Sequence, residues 1–327
     1  MKKSFEKICR MNQENLKAYV ERRLRETHKD ITVDDGFVYA QGKFPVLLVA
    51  HLDTVHKILP YIINRTEDKN GNEVISSPTG IGGDDRCGVY MIFEVLKKFN
   101  CSVLFCEDEE IGTIGAEKFT KHPVSKDLKF NYIIEFDRKG NNDAVFYDCD
   151  NPEFEDFITK EFFKTNWGSY SDISVVAPYL GVAAVNLSCG YYNAHKTDEY
   201  VVIQEMEEVI RQACKILERT TEDDVFEYIE AKYNYKYGSK WWDDLTYYKG
   251  CYSTSDIYGY EDEIMADTKY EVEEMYFLIS YYNVYGEIVE CEVFAHSDVE
   301  AVGQFLINHP DICYNSIIEV MVDEYYM

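Results

Sequence analysis

The chain has 327 residues, 46% of them hydrophobic, which is enough to bury a large core and to divide into two units. Its formal net charge is −27, and a field of that sign repels phosphate backbones and anionic bilayers, so neither nucleic acid nor membrane is an expected partner. No stretch approaches the roughly 18 to 20 apolar residues of a membrane span, and the charged start MKKSFEKICRMNQENLKAYVERRL lacks the apolar core of a signal peptide, which points to the cytoplasm. Ten cysteines with no CxxC pair fit buried free thiols in a reducing compartment and offer no thiolate metal site.

Residues 4–28 read as one amphipathic helix, with Phe5, Ile8, Met11, Leu16, Val20 and Leu24 near helical spacing. Short apolar runs then alternate with helical patterns. The runs are FPVLLVA (44–50), SVLFCE (102–107), FNYIIEF (130–136), AVFYD (144–148) and GVAAVNL (181–187). The helical patterns are CGVYMIFEVLKKF (87–99), FEDFITKEFF (154–163) and VIQEMEEVIRQACKILERT (202–220). Fully apolar strands between helices predict an α/β fold with a mostly parallel central sheet covered by helices on both faces. Residues 1–220 read as this first domain.

Composition changes after residue 220. Residues 221–327 hold 24 Asp and Glu against 5 Lys and no Arg, together with 17 of the 28 tyrosines. Residues 221–269 read as an acidic, tyrosine-rich linker or irregular layer. Residues 270–327 read as a small α+β unit in the order β-β-α-β, its helix opening at Ser297. Acidic surface with aromatic anchors, including Trp241 and Trp242, suggests assembly into a homo-oligomer or binding of a protein partner and no catalytic role.

Acids and histidines gather at the ends of the predicted strands, where sites form in open α/β sheets. His51 and Asp53, in VLLVAHLDTVH, pair an imidazole with a carboxylate able to orient it. Asp84 and Asp85, in GIGGDDRCGV, are adjacent acids whose repulsion a cation relieves, and one carboxylate can bridge two ions. CEDEEIG ends a strand with four acids, of which Glu109 and Glu110 can divide ligation from proton transfer. Asp137 directly follows FNYIIEF, in IIEFDRKG, and His195 precedes the last long helix. Each motif alone has an ordinary alternative: a histidine satisfied at a strand end, a helix N-cap, or a solvated acidic loop.

In order, His-x-Asp, Asp-Asp, Glu-Glu, Asp and His resemble the di-zinc exopeptidase superfamily, which includes leucyl aminopeptidases, peptidase T, glutamate carboxypeptidases and shell-forming aminopeptidases. The resemblance runs from about residue 44 to about residue 219. It implies two divalent metal ions, with His51 and Asp137 on one, Glu110 and His195 on the other, and Asp84 bridging both. It makes Glu109 the general base, Asp53 the residue that orients His51, and Asp85 the partner in a peptide bond that is often cis in the family. Carboxylate and imidazole ligands suit zinc, with manganese or cobalt as alternatives. The implied reaction is hydrolysis of small peptides by activated water, with Tyr191 and Tyr192 as candidate donors to the oxyanion and Arg138 as a candidate clamp for a substrate carboxylate.

Spacing narrows the resemblance. Carboxypeptidase-like members insert a lid domain between the last two ligands, yet only 58 residues separate Asp137 from His195. Shell-forming members insert a domain between the first two motifs, yet Asp53 and Asp84 lie 31 apart. A lid-less aminopeptidase is therefore the expected activity, and Ser171 and Asp172 are similar to a Ser-Asp or Thr-Asp step in those branches. The alternatives are a carboxypeptidase, dipeptidase or amide deacylase using the same site, or a binding or scaffold protein on a retained peptidase fold.

Overall fold

A computed structural model describes residues 2–168 and 170–231 and, further on, residues 275–282, 288–295, 305 and 317–322. The chain divides into two compact units, Met1–Tyr235 and Lys236–Met327.

The first unit carries, in chain order, α1 (Lys2–Cys9), α2 (Gln13–Leu24), β1 (Asp30–Asp34), β2 (Phe37–Gln41), β3 (Phe44–His51), β4 (Asn64–Glu67), β5 (Glu73–Ser76), α3 (Gly83–Val95), β6 (Cys101–Cys106), α4 (Ile114–Lys121), β7 (Tyr132–Arg138), β8 (Asp143–Val145), α5 (Pro152–Thr159), β9 (Lys164–Asn166), α6 (Asp172–Leu180), β10 (Ala184–Ser188), β11 (Tyr191–Tyr192), β12 (Tyr200–Val202) and α7 (Ile203–Arg219). An eight-stranded sheet runs in the order β1-β2-β6-β3-β7-β10-β8-β9. Its middle, β6-β3-β7-β10, is parallel, as the apolar runs predict. Antiparallel pairs join at both flanks, so the whole sheet is mixed.

Both faces of that middle are covered. Along β3, Val46, Leu48 and Ala50 enter one apolar cluster with residues of α1, α2, α3, α5 and α7. Leu47 and Val49 enter the other, with Phe119 of α4 and Ile173, Val176 and Ala177 of α6. Period-two alternation thus distributes an unbroken apolar run between two cores. A second, antiparallel sheet in the order β11-β12-β5-β4 ties the loop after β10 to the segment that precedes α3.

The single helix expected over 4–28 is two. Asn12 is extended (φ −71°, ψ 170°) and its side chain accepts from the Asn15 amide at 2.9 Å, so it starts α2 afresh. The first unit also continues past residue 220: the Phe226 ring packs at a tilt against Tyr132, Phe154 and Phe157, and its backbone pairs with Asn131 and Ala183.

In the second unit, β13 (Met275–Tyr282) is flanked by β14 (Ile288–Ala295) and β15 (Ile317–Val322), both antiparallel to it. This matches the three strands expected. The acidic stretch after residue 231, with Trp241 and Trp242, and the helix from Ser297 lie outside the described residues, apart from Phe305. Among the described residues no helix is long and apolar enough to cross a membrane.

Candidate metal centre

The parallel strands β6, β3, β7 and β10 run side by side with their carboxyl ends at one edge. His51 is the last residue of β3, Glu109 and Glu110 follow β6, Asp137 lies near the end of β7, and His195 follows β10. Asp84 arrives from the start of α3, where Asp84 (φ −81°, ψ 103°) and Asp85 (φ −118°, ψ 43°) are not helical and their shared peptide bond is cis.

These residues meet. Asp84 Oδ1 lies 3.0 Å from His51 Nε2, and Asp84 Oδ2 lies 2.9 Å from His195 Nε2. Asp137 Oδ1 is 3.4 Å from the same His51 nitrogen, and Glu110 Oε2 is 3.3 Å from the same His195 nitrogen. Asp53 faces the far side of His51, its Oδ1 3.1 Å from Nδ1, while its two oxygens accept the Glu109 and Glu110 amides at 3.0 Å each. One carboxylate therefore orients the imidazole and fixes the turn that carries both glutamates. Asp85 serves the helix, accepting from the Gly88 amide at 2.8 Å and the His51 amide at 3.1 Å. The N-cap alternative thus describes Asp85, and Asp84 faces the histidines.

Burial makes the cluster electrostatically demanding. His51 is buried, which disfavours its charged form, but the Asp137 and Asp53 carboxylates hold it well above the usual imidazole range. For His195 the same opposition, with Asp84 and Glu110 as the acids, gives about 10. Burial followed by Asp84 pushes Asp137 up to about 7. Burial raises Glu109 and Glu110 as well, with Asp137 and Asp84 respectively among the acids that add to it. Asp84 is held low: burial opposes this, and the two histidine contacts outweigh it. Groups forced to retain protons by one another's charge are groups a cation can relieve. The ligand atoms of His51, Asp85 and Asp137, and those of His51, Asp84 and Glu110, each lie within 4.8 Å of one another, so this buried group can hold a metal ion.

Behind Asp137 lies a polar network of which the sequence points only to Ser171 and Asp172. Asn186 Oδ1 accepts the Asp137 amide at 2.9 Å, and Ser171 Oγ lies 3.1 Å from Asp137 Oδ2 and 2.6 Å from Glu135 Oε2. Asp172 is buried close by, and burial pushes its carboxyl up to about 7. Arg86, also buried, donates to the Leu52 and Asp53 carbonyls at 2.8 and 2.7 Å and fixes the turn after His51. Glu199 is fully buried and reaches the Asp84 turn. Sequence carried a signal for Ser171 and Asp172. Glu199 was hidden in KTDEYV, where an acid beside another acid reads as surface.

The candidate substrate residues divide. The Tyr191 hydroxyl reaches the Asp137 carbonyl at 3.0 Å and Oδ1 at 3.4 Å. Tyr192 instead bonds Glu205 of α7 and stacks on Tyr200. Arg138 donates to the Trp167 carbonyl at 3.0 Å and lies 3.5 Å from Asp143, so its guanidinium engages the β8–β9 side of the sheet.

No family model and no curated protein matches the sequence. Solved structures do match the fold. An aminopeptidase PepT from Bacillus cereus ATCC 10987 superposes with a TM-score of 0.53 at 13% identity, over 66% of this chain and 96% of that one. The aminopeptidase APDkam598 from the archaeon Desulfurococcus kamchatkensis gives 0.50 at 14% identity, over 68% and 95%. The α/β fold expected from the sequence is thus shared with these two solved structures.

Proposed function

We propose that the protein is a metal-dependent exopeptidase, an aminopeptidase acting on small peptides. The observation that carries this reading is the division of Asp84: each carboxylate oxygen faces the Nε2 of a different histidine, and each of those nitrogens faces one further acid, Asp137 or Glu110. That is the donor arrangement two divalent ions need if they share one carboxylate. Asp84 suits the bridge better than Asp85, whose oxygens already accept two amides.

Two ions held there, zinc or alternatively manganese or cobalt, supply Lewis acidity that polarises a carbonyl and lowers the pKa of water toward neutrality. Glu109, buried beside the ligands and fixed through its amide to Asp53, accepts the proton of the attacking water and returns one to the leaving amine. Asp53 keeps the His51 Nε2 lone pair turned inward by holding Nδ1–H. The Tyr191 hydroxyl gives its one hydrogen to the Asp137 carbonyl, so it steadies the strand end that carries this ligand and is not free to donate to an oxyanion.

The fold shared with two named aminopeptidases and the short interval from Asp137 to His195, which leaves no room for a lid, favour the aminopeptidase over a carboxypeptidase, dipeptidase or deacylase. The engagement of Arg138 weakens the carboxylate clamp that a carboxypeptidase would use. The described cysteines are all free, which supports a cytoplasmic site of action. The test is metal analysis together with a panel of free-amine, N-blocked and C-terminal-reporter peptides. Two ions per chain and cleavage confined to free-amine substrates are expected. Saturation at one ion removes the bridge, and cleavage of N-blocked peptides removes the aminopeptidase.

A further inference from the structure

We infer that Glu199 is the positioning residue that sets the Asp84 carboxylate between His51 and His195; the inference builds on the two-metal reading of that site. Glu199 is fully buried. Its Oε1 accepts the Asp84 amide at 3.0 Å, and its Oε2 accepts the Gly82 amide at 2.7 Å and faces His56 Nε2 at 2.8 Å. An ionised carboxylate only accepts, so His56 donates to it.

Glu199 and its partners lie on three different loops of the site. His56 follows Asp53 by three residues, Gly82 and Asp84 lie on the turn that opens α3, and Glu199 follows His195 by four. One carboxylate therefore locks together the loops that carry His51 and Asp53, Asp84, and His195. The turn needs such a clamp, because Gly82 is left-handed (φ 68°) and Asp84 is not helical, so its amides depend on acceptors from outside the helix.

Packing leaves this arrangement no slack. A Cβ at Gly80 would fall 2.2 Å from the His56 ring, and one at Gly83 would meet Tyr191 Cβ at 2.8 Å and Val201 Cγ2 at 2.9 Å. The glycine-rich run TGIGGDD is shaped to admit the Glu199–His56 pair. For filling space alone, an apolar side chain would avoid the cost of burying a charge. Glutamine at 199 keeps the shape but has one acceptor oxygen and an NH2 group, so it cannot receive donors at both ends.

The experiment compares full-length wild type, Glu199→Gln, His56→Ala and a core control, Tyr132→Phe, by two readouts. The first is hydrogen exchange at the Gly82 and Asp84 amides in the metal-free state. The second is Co(II) affinity with its visible absorption spectrum. Faster exchange at those two amides in Glu199→Gln is expected, with about 10- to 100-fold weaker Co(II) binding and an altered spectrum. His56→Ala gives a smaller change in the same direction and carries the test if Glu199→Gln does not fold, while Tyr132→Phe keeps wild-type affinity. Wild-type exchange at Gly82 and Asp84 overturns the inference, as does wild-type affinity and spectrum despite faster exchange. If the wild type takes up no Co(II), the two-metal reading fails, and exchange alone then decides whether Glu199 holds the turn.

Discussion

Four consecutive acids leave β6, and their side chains part company. Glu107 receives Lys17 and the Gly36 amide, and Asp108 receives Gln13, so both are committed to the amino-terminal part of the fold. Glu109 and Glu110 turn into the cluster, their amides held by Asp53. Replacing Glu109 by Gln is expected to lower turnover about 100- to 10,000-fold while both ions stay bound, since the change removes the proton acceptor and no proposed ligand. Glu107→Gln is expected to cost about 1 to 3 kcal/mol of stability through a lost charge-assisted bond, read as a lower Tm with unchanged turnover below it. Equal losses of turnover in the two variants would show that the acids do not divide in this way. The order of the motifs is legible because His51, the two glutamates and Asp137 fall at strand ends and the Asp-Asp pair opens a helix after a glycine-rich turn. Glu199 and Asn186 were not, since their partners are distant in sequence: Glu199 meets Asp84 across 115 positions, and Asn186 meets Asp137 across 49.

Elements with a strong period were found close to their bounds. The apolar run 44–50 is β3 (Phe44–His51), and the pattern 202–220 is α7 (Ile203–Arg219). The β1–β2 hairpin escaped because DITVD and FVYAQ are five residues each and β1 is largely exposed, so neither gives a long alternation. Pro178 inside α6 hid a nine-residue helix. The start of α3 was read at Cys87, because the two acids ahead of it lack helical geometry. That helix lies so close to β7 that a Cβ at Gly88 would fall 1.9 Å from the Phe136 carbonyl oxygen and 2.4 Å from Asp85. Gly88→Ala must push α3 and β7 apart, at a cost of about 1 to 3 kcal/mol or more. Because Phe136 precedes Asp137, the same displacement moves a proposed ligand, so Tm and metal affinity are expected to fall together. A variant with lowered Tm and wild-type metal affinity would show that the strand end is held independently of the helix.

At the scale of the whole molecule, the useful boundary lies at residue 235. The proposed ligands are complete by His195, yet a chain cut at residue 220 would lose Phe226 and its contacts with Tyr132, Phe154 and Phe157, together with backbone bonds to Asn131 and Ala183. Composition placed the break earlier because acids begin at Glu222, and charge does not reveal that one phenylalanine among them docks on the sheet. Deleting a packed phenylalanine costs about 3 to 5 kcal/mol, so residues 1–220 are expected to be poorly soluble or to melt well below the full chain. Residues 1–235 form a compact unit by themselves, and that fragment is expected to fold, load its metals and hydrolyse a dipeptide reporter near the full-length rate. What it loses is then the work of residues 236–327, which carry 19 Asp and Glu against 4 Lys: self-association or partner binding, read by sedimentation of the two forms side by side. A folded, fully metallated 1–235 fragment without turnover would assign a catalytic group to the acidic unit. An unchanged sedimentation profile would remove its role in self-association and leave partner binding to be tested by capture on the isolated segment.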